Sequence, residues 1–246
     1  MRSLLYVNGA DLKFTEEADG WHKATFDIVA MIFGDNGTIV DEVSRTETIK
    51  AKAETLREIL AKGFVSTISV PIKKPGAYQM RVVMRDAATA RIGSASQFVE
   101  VPNLKKDRLT LSGILLQRLQ KSGNVVGQKQ FQPDEQRDFA RRRFHLGDTI
   151  RFDLSIYNAR VGKAAKPNLM VQYRVFRHGK EIFVAPEKQL SLSQSPSLGS
   201  IDSSGMFELG KKMPPGDYVL QVIVRDLQAA EKRSIATQWT DFEIIK

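Results

Sequence analysis

Hydrophobic and polar positions alternate with a period of two along much of this 246-residue chain. In Ala24–Phe33, Phe26, Ile28, Ala30 and Ile32 fall on one face. In Ile150–Tyr157, Ile150, Phe152, Leu154 and Ile156 alternate with Arg151, Asp153, Ser155 and Tyr157. Successive side chains of a strand leave opposite faces, so this pattern predicts strands with one face in a core and one in water. Asn36-Gly37 predicts a hairpin with a primed turn, because both residues tolerate positive φ. Residues 171–176 and 181–184 predict another hairpin, turning at His178-Gly179. One segment breaks the period. In residues 53–63, Leu56, Ile59 and Leu60 recur at helical spacing, Glu54 and Glu58 come early, Lys62 late, and Gly63 stands at the C-cap. A short helix over about 53–62 is expected there, its apolar stripe packed on the sheet.

The chain nearly repeats itself. Residues 74–86 read KPGAYQMRVVMRD and residues 214–226 read PPGDYVLQVIVRD. Each copy has Pro-Gly, one residue, Tyr, an alternating run and a closing Arg-Asp that reads as a strand-end turn. Each is followed by one more strand, at 94–101 and 235–244. In immunoglobulin-like sandwiches a Tyr at such a strand start fills the end of the core, and its hydroxyl bonds back to the chain just upstream. Gly76, Tyr78, Gly216 and Tyr218 are therefore expected to form two structural corners, each opening the penultimate strand of a sandwich. A boundary is expected at 101–108, where Pro102, Asn103 and a charge cluster separate apolar runs. The expected architecture is all-β: two tandem immunoglobulin- or fibronectin-like sandwiches, 1–103 and 104–246, the first with the inserted helix. Residues 118–143 and 191–205 read as long loops, and long loops often carry binding.

Charge separates the halves. Residues 1–103 hold 13 Lys+Arg and 13 Asp+Glu, so the whole net charge of +9 lies in residues 104–246. A basic face attracts nucleic acid, anionic surfaces or acidic proteins. The most basic stretch, residues 104–143, holds 10 Lys+Arg against 4 Asp+Glu but only two aromatic residues, Phe131 and Phe139, and no nucleic-acid motif accompanies it, so nucleic acid is the weaker expectation. Arg141, Arg142 and Arg143 are the best candidates for contact with an acidic partner, although such a triplet is more often solvated or ion-paired. No cysteine is present, which excludes disulfides, thiolate metal sites and thiol catalysis. The three histidines, His22, His145 and His178, are scattered without metal-ligand spacing. No phosphate loop or nucleophile elbow occurs, so no catalytic residue, metal or cofactor is expected. Asn36-Gly37-Thr38 matches a glycosylation sequon, but the hairpin explains it better. A carbohydrate-binding module is an alternative that needs exposed aromatic platforms; Trp21 and Trp239 are the two tryptophans, and both read as core or corner packing.

Six segments, 19–37, 70–86, 93–114, 144–159, 214–226 and 236–244, together resemble a bacterial family of von Willebrand A-related proteins, common in acidobacteria, in the region that follows the A domain. The resemblance implies tandem sandwich modules in a larger exported or envelope-associated protein. The metal-dependent adhesion site of that family belongs to the A domain, and no residue here inherits it. The expected function is a non-enzymatic interaction or spacer module contacting a protein or cell surface. The start of the chain does not read as a secretory signal and no run is long enough to span a membrane, so a fragment of a longer exported protein is expected.

Overall fold

The computed structural model describes residues 1–119, 133–162, 166–190 and 199–246. Strands dominate it, with two short helices, as the alternation requires. The chain divides into two compact units, Met1–Asn103 and Leu104–Lys246.

Unit 1 contains β1 (Arg2–Val7), β2 (Thr15–Glu16), β3 (Trp21–Gly34), β4 (Ile39–Lys52), α1 (Ala53–Lys62), β5 (Phe64–Ser69), β6 (Gly76–Asp86) and β7 (Ile92–Val101). One sheet runs β4-β3-β6-β7, with β2 on the first residues of β3; the other is the antiparallel pair β1-β5. Ala24, Phe26, Ile28, Ala30 and Ile32 of β3 are buried with Tyr78, Met80 and Val82 of β6 and with Val7 and Ile68 of the small sheet. The core therefore lies between the sheets, on the face that the period-two pattern marks.

Three local expectations are refined. The β3–β4 turn is not of the primed type: Gly37 has φ +75° but Asn36 does not enter the positive region. Instead the Asn36 Oδ1 accepts from the Thr38 amide and hydroxyl, and the register shifts at Ile32/Phe33. An Asx-type bond competes with the primed turn here, and a bulge absorbs the extra residue. At the other hairpin, His178 (φ +49°) and Gly179 (φ +73°) both take left-handed geometry. Helix α1 forms and ends at Gly63 (φ +68°), where a β-carbon would stand 2.5 Å from the Tyr6 hydroxyl. However, α1 has no buried residue and leaves Leu60 exposed. It rests mainly against the 3-10 turn Gly9–Asp11 and β4 rather than sinking onto the sheet.

Unit 2 contains β8 (Thr110–Leu111), β9 (Leu115–Arg118), α2 (Pro133–Arg141), β10 (Arg143–His145), β11 (Thr149–Tyr157), β12 (Leu169–Arg177), β13 (Lys180–Val184), β14 (Lys188–Gln189), β15 (Ser200–Glu208), β16 (Gly216–Asp226) and β17 (Ile235–Ile245). One sheet runs β10-β17-β16-β12-β13, with β14 on β12; the other is β15-β11 with β8 and β9 on the far side of β11. Phe152, Leu154, Ile156, Tyr218, Leu220, Val222 and Phe242 are among the buried residues between them. Gly205 of β15 lies opposite Phe152, and a β-carbon on it would come within 2.2 Å of that ring.

Two stretches expected as loops carry regular structure in part. Within 118–143, Pro133–Arg141 is helical: Pro stands at the first turn, Asp134 and Glu135 meet the helix N-terminus, Arg141 meets its C-terminus, and Phe139 is buried. Within 191–205, Ser200–Gly205 belong to β15. The remainder of both stretches, residues 120–132 and 191–198, lies outside the described residues.

Candidate functional site

The repeated segment places the same bonds twice. The Tyr78 hydroxyl donates to the Lys74 carbonyl at 2.7 Å, and the Tyr218 hydroxyl to the Pro214 carbonyl at 2.6 Å. Gly76 (φ +155°) and Gly216 (φ +131°) turn the chain between them in backbone conformations that side chains resist. Tyr218 also stacks on Phe242 at 5.5 Å. At the far end of each strand stands a buried carboxylate that reads as a mere turn residue in the sequence. Asp226 accepts from the Arg160 and Gln228 amides; Asp86 accepts from the Thr89 amide and hydroxyl and, at 3.4 Å, from the Lys13 amide. Backbone donors offset the cost of burying these charges. Both acids pin a neighbouring loop to the strand end.

The arginine triplet lies where α2 runs into β10. Arg141 ends the helix, and Arg142 follows at φ +52°. The Arg142 guanidinium meets Asp241 at 3.0 Å and donates to the Thr240 hydroxyl; Arg143 meets Glu243 at 2.6 Å. Arg142 and Arg143 thus already face carboxylates of their own chain. Behind them, Asp138 is buried. Desolvation lifts its carboxyl above the ordinary carboxylate range, against the lowering effect of the Arg118 amide bond and the Arg118 charge.

Among the described residues the most exposed aromatic surface of unit 2 is the outer face of its larger sheet. Trp239 is 64 % exposed there, which corrects the expectation that it packs in a core or corner. Strand register puts it in a row with Gln221 and Arg174. Val219 and Ile223 flank Gln221 along the same face. The Arg174 guanidinium is held by the Gln172 side chain and by Glu181, so it is fixed beside the indole row. The signal was present in the sequence. Phe242 and Ile244 point into the core, so parity along β17 sends Trp239 outward. The same expectation is corrected at Trp21, which is 38 % exposed and lies under the Lys52 ammonium at 5.3 Å.

Among the described residues no three His, Asp or Glu side chains cluster to hold a metal ion. No helix among them is long and apolar enough to cross a membrane. No family model matches the chain, and no curated protein matches it in sequence.

Proposed function

We propose that this chain is a non-enzymatic binding module whose contact surface includes the outer sheet face around Trp239. The observation that carries this reading is an exposed indole in register with a hydrogen-bonding amide and a fixed guanidinium, flanked by Val219 and Ile223. Aromatic and arginine side chains dominate the energetics of protein interfaces, because they bury large apolar areas and keep a polar handle. A photo-crosslinking residue at position 239 is expected to capture one defined protein or surface component in the source cells, while the same residue at Lys211 captures none. Equal labelling from both positions would sink the reading.

A carbohydrate-binding role is the second reading, and Trp239 is what favours it, since an exposed indole can stack on a sugar ring. Glycan-array binding that disappears in Trp239→Ala would move the assignment there. Binding to nucleic acid or an anionic surface through the basic unit is less supported. Arg142, Arg143, Arg151, Arg160, Arg174 and Arg225 are each paired with a carboxylate of the chain. The six segments that resemble the region after a von Willebrand A domain support an extracytoplasmic setting. Cell fractionation tests that setting, and recovery of the protein with the cytoplasm would overturn it.

A further inference from the structure

The arginines paired along the sheets of unit 2 do not account for its net charge, most of which gathers at one end. Residues 104–108 lead into β8, residues 158–168 join β11 to β12, and residues 227–234 join β16 to β17. Tyr157 pairs with Thr110, Leu169 with Asp226 and Arg225 with Ile235, so strand register brings all three segments to the same end of the unit. Their described residues hold seven Lys+Arg and two Asp+Glu, a net +5 of the +9 that unit 2 carries. The sequence of residues 120–132, 163–165 and 191–198 adds no Asp or Glu to the unit.

Hydrogen bonds fix the three segments to one another. The Asn158 side-chain amide donates to the Leu104 carbonyl at 2.9 Å and to the Arg108 carbonyl at 3.2 Å. The Leu227 amide donates to the Asn168 carbonyl, and the Arg160 amide to the buried Asp226 carboxylate. Asp107 meets the Arg160 guanidinium at 2.5 Å and the Arg233 guanidinium at 3.8 Å. One acid is thus shared by two guanidinium groups from two different loops, and the basic residues are held as a group on a fixed backbone.

The same end carries apolar side chains in water. Leu104, Val161 and Leu227, one from each segment, are 45 %, 59 % and 52 % exposed. A lone exposed aliphatic residue is ordinary, but three gathered among bases on the loops of one end mark a contact surface. The combination selects a class of partner. Non-specific nucleic-acid sites join basic residues to aromatic platforms, and the three segments contain no aromatic residue. Protein interfaces draw most of their energy from aromatic and arginine anchors packed in a desolvated centre. Aliphatic tips among lysines and arginines suit an anionic bilayer: the bases lie at the headgroups and the tips enter the edge of the acyl layer.

We propose that this end of unit 2 docks on an anionic lipid surface. Leu104, Val161 and Leu227 enter the bilayer edge, while Lys106, Lys232 and Arg233 meet the lipid phosphates. The surface lies on loops, apart from the sheet face of Trp239, and the two readings fail independently.

The probe is the full chain with vesicles of phosphatidylcholine containing phosphatidylglycerol, set against vesicles of phosphatidylcholine alone. Cosedimentation is expected with the anionic vesicles only, weakening as salt is raised. Lys106→Ala with Lys232→Ala is expected to weaken partition roughly fivefold for each base removed. Val161→Gln with Leu227→Gln keeps the charge and is expected to weaken it at least about fivefold, because the tips no longer gain from leaving water. All four positions are exposed, and unchanged thermal unfolding checks that the fold is kept. The chain has no cysteine, so a polarity-sensitive dye on Leu227→Cys reports on one position. Its emission is expected to shift to the blue on anionic vesicles. The same dye on Lys211→Cys, in the β15–β16 connection at the other end of the unit, is expected not to shift. The proposal is overturned by no partition, by equal partition onto neutral vesicles, by partition unchanged in either double variant, or by a shift at 211 in place of 227. Duplex DNA bound as tightly as the vesicles, with the Val161/Leu227 variant unaffected, would assign the end to soluble polyanions instead.

Discussion

The last strand of unit 2, β17, has a short parallel partner in β10, whereas among the described residues β7 of unit 1 pairs with β6 alone. The closed strand β17 is free to carry acids at Asp241 and Glu243, because Arg142 and Arg143 arrive beside them from β10. It also buries Phe242 and Ile244, because Phe144 covers their flank. Half of β7, residues 93–97, is built of Gly, Ser, Ala and Gln. The same turn, the same tyrosine and the same buried aspartate lead into both strands. The difference teaches that the repeated segment specifies the penultimate strand and its corner, while the state of the final edge depends on residues roughly a hundred positions away.

The sharpest way to break the comparison is to open the closed edge. Phe144→Ala removes a fully buried ring and is expected to cost about 3–5 kcal/mol in unit 2. Unit 1 should be unaffected. Each unit holds one tryptophan, so urea unfolding can be read separately in Trp21→Phe and Trp239→Phe backgrounds. An equal loss in both units would mean that they unfold together.

The buried aspartates come next. Asp226→Ala leaves the Arg160 and Gln228 amides without their acceptor and is expected to cost about 2–3 kcal/mol. Asp86→Ala is expected to cost less, about 1–2 kcal/mol, because one of its three bonds is long and the Thr89 hydroxyl can turn to water. The reverse ranking would show that the two corners are not energetically alike.

Charge reversal at the last strands sharpens the contrast further. Glu243→Lys breaks the pair with Arg143 and sets two bases together, at an expected cost of about 1 kcal/mol. Glu100 faces Ala77 as Glu243 faces Asp217 and has no ion pair among the described residues; Glu100→Lys is expected to change stability by under about 0.5 kcal/mol. A comparable loss at Glu100 would reveal an ion pair that it makes in solution.

Much of this framework was legible in the chain because it rests on local signals. The alternation in residues 24–33 and 150–157 marks β3 and β11 and their buried faces, and Gly63 marks the end of α1. What was not legible depends on distant partners. β10 is three residues long and exists as a strand only because β17 accepts it. α2 offers one deeply buried apolar side chain, Phe139, in a run of charge, too little for a helical stripe to stand out. Asp86 and Asp226 read as turn residues because the amides of Lys13 and Arg160 that bond them lie far away in sequence. Trp239 was the avoidable miss, since parity with Phe242 sends it outward.

The last expected effect, a difference that changes with pH, tests how unit 2 holds the segment that leads into β10. Asp138 sits one turn before Arg142 and binds the Arg118 amide, so it ties α2 to β9 just before β10 begins. Its carboxyl is raised above the ordinary range chiefly by burial. A raised carboxyl means that the folded state holds the proton more tightly than the unfolded chain. Stability therefore falls as pH rises from the ordinary Asp value, about 3.9, through the raised value, and this penalty persists at neutral pH. Asp138→Asn keeps an acceptor for the Arg118 amide and removes the buried charge, so at neutral pH it is expected to lie within about 1 kcal/mol of the parent. The difference, asparagine minus aspartate, should become less favourable to asparagine as the pH is lowered below the ordinary Asp value, where the parent is protonated in both states. Urea unfolding at neutral and acid pH in the Trp21→Phe background, with Trp239 as reporter, reads this directly. A difference that moves the opposite way would mean that the Arg118 charge, rather than burial, governs Asp138, and that an ion pair steadies the segment leading into β10.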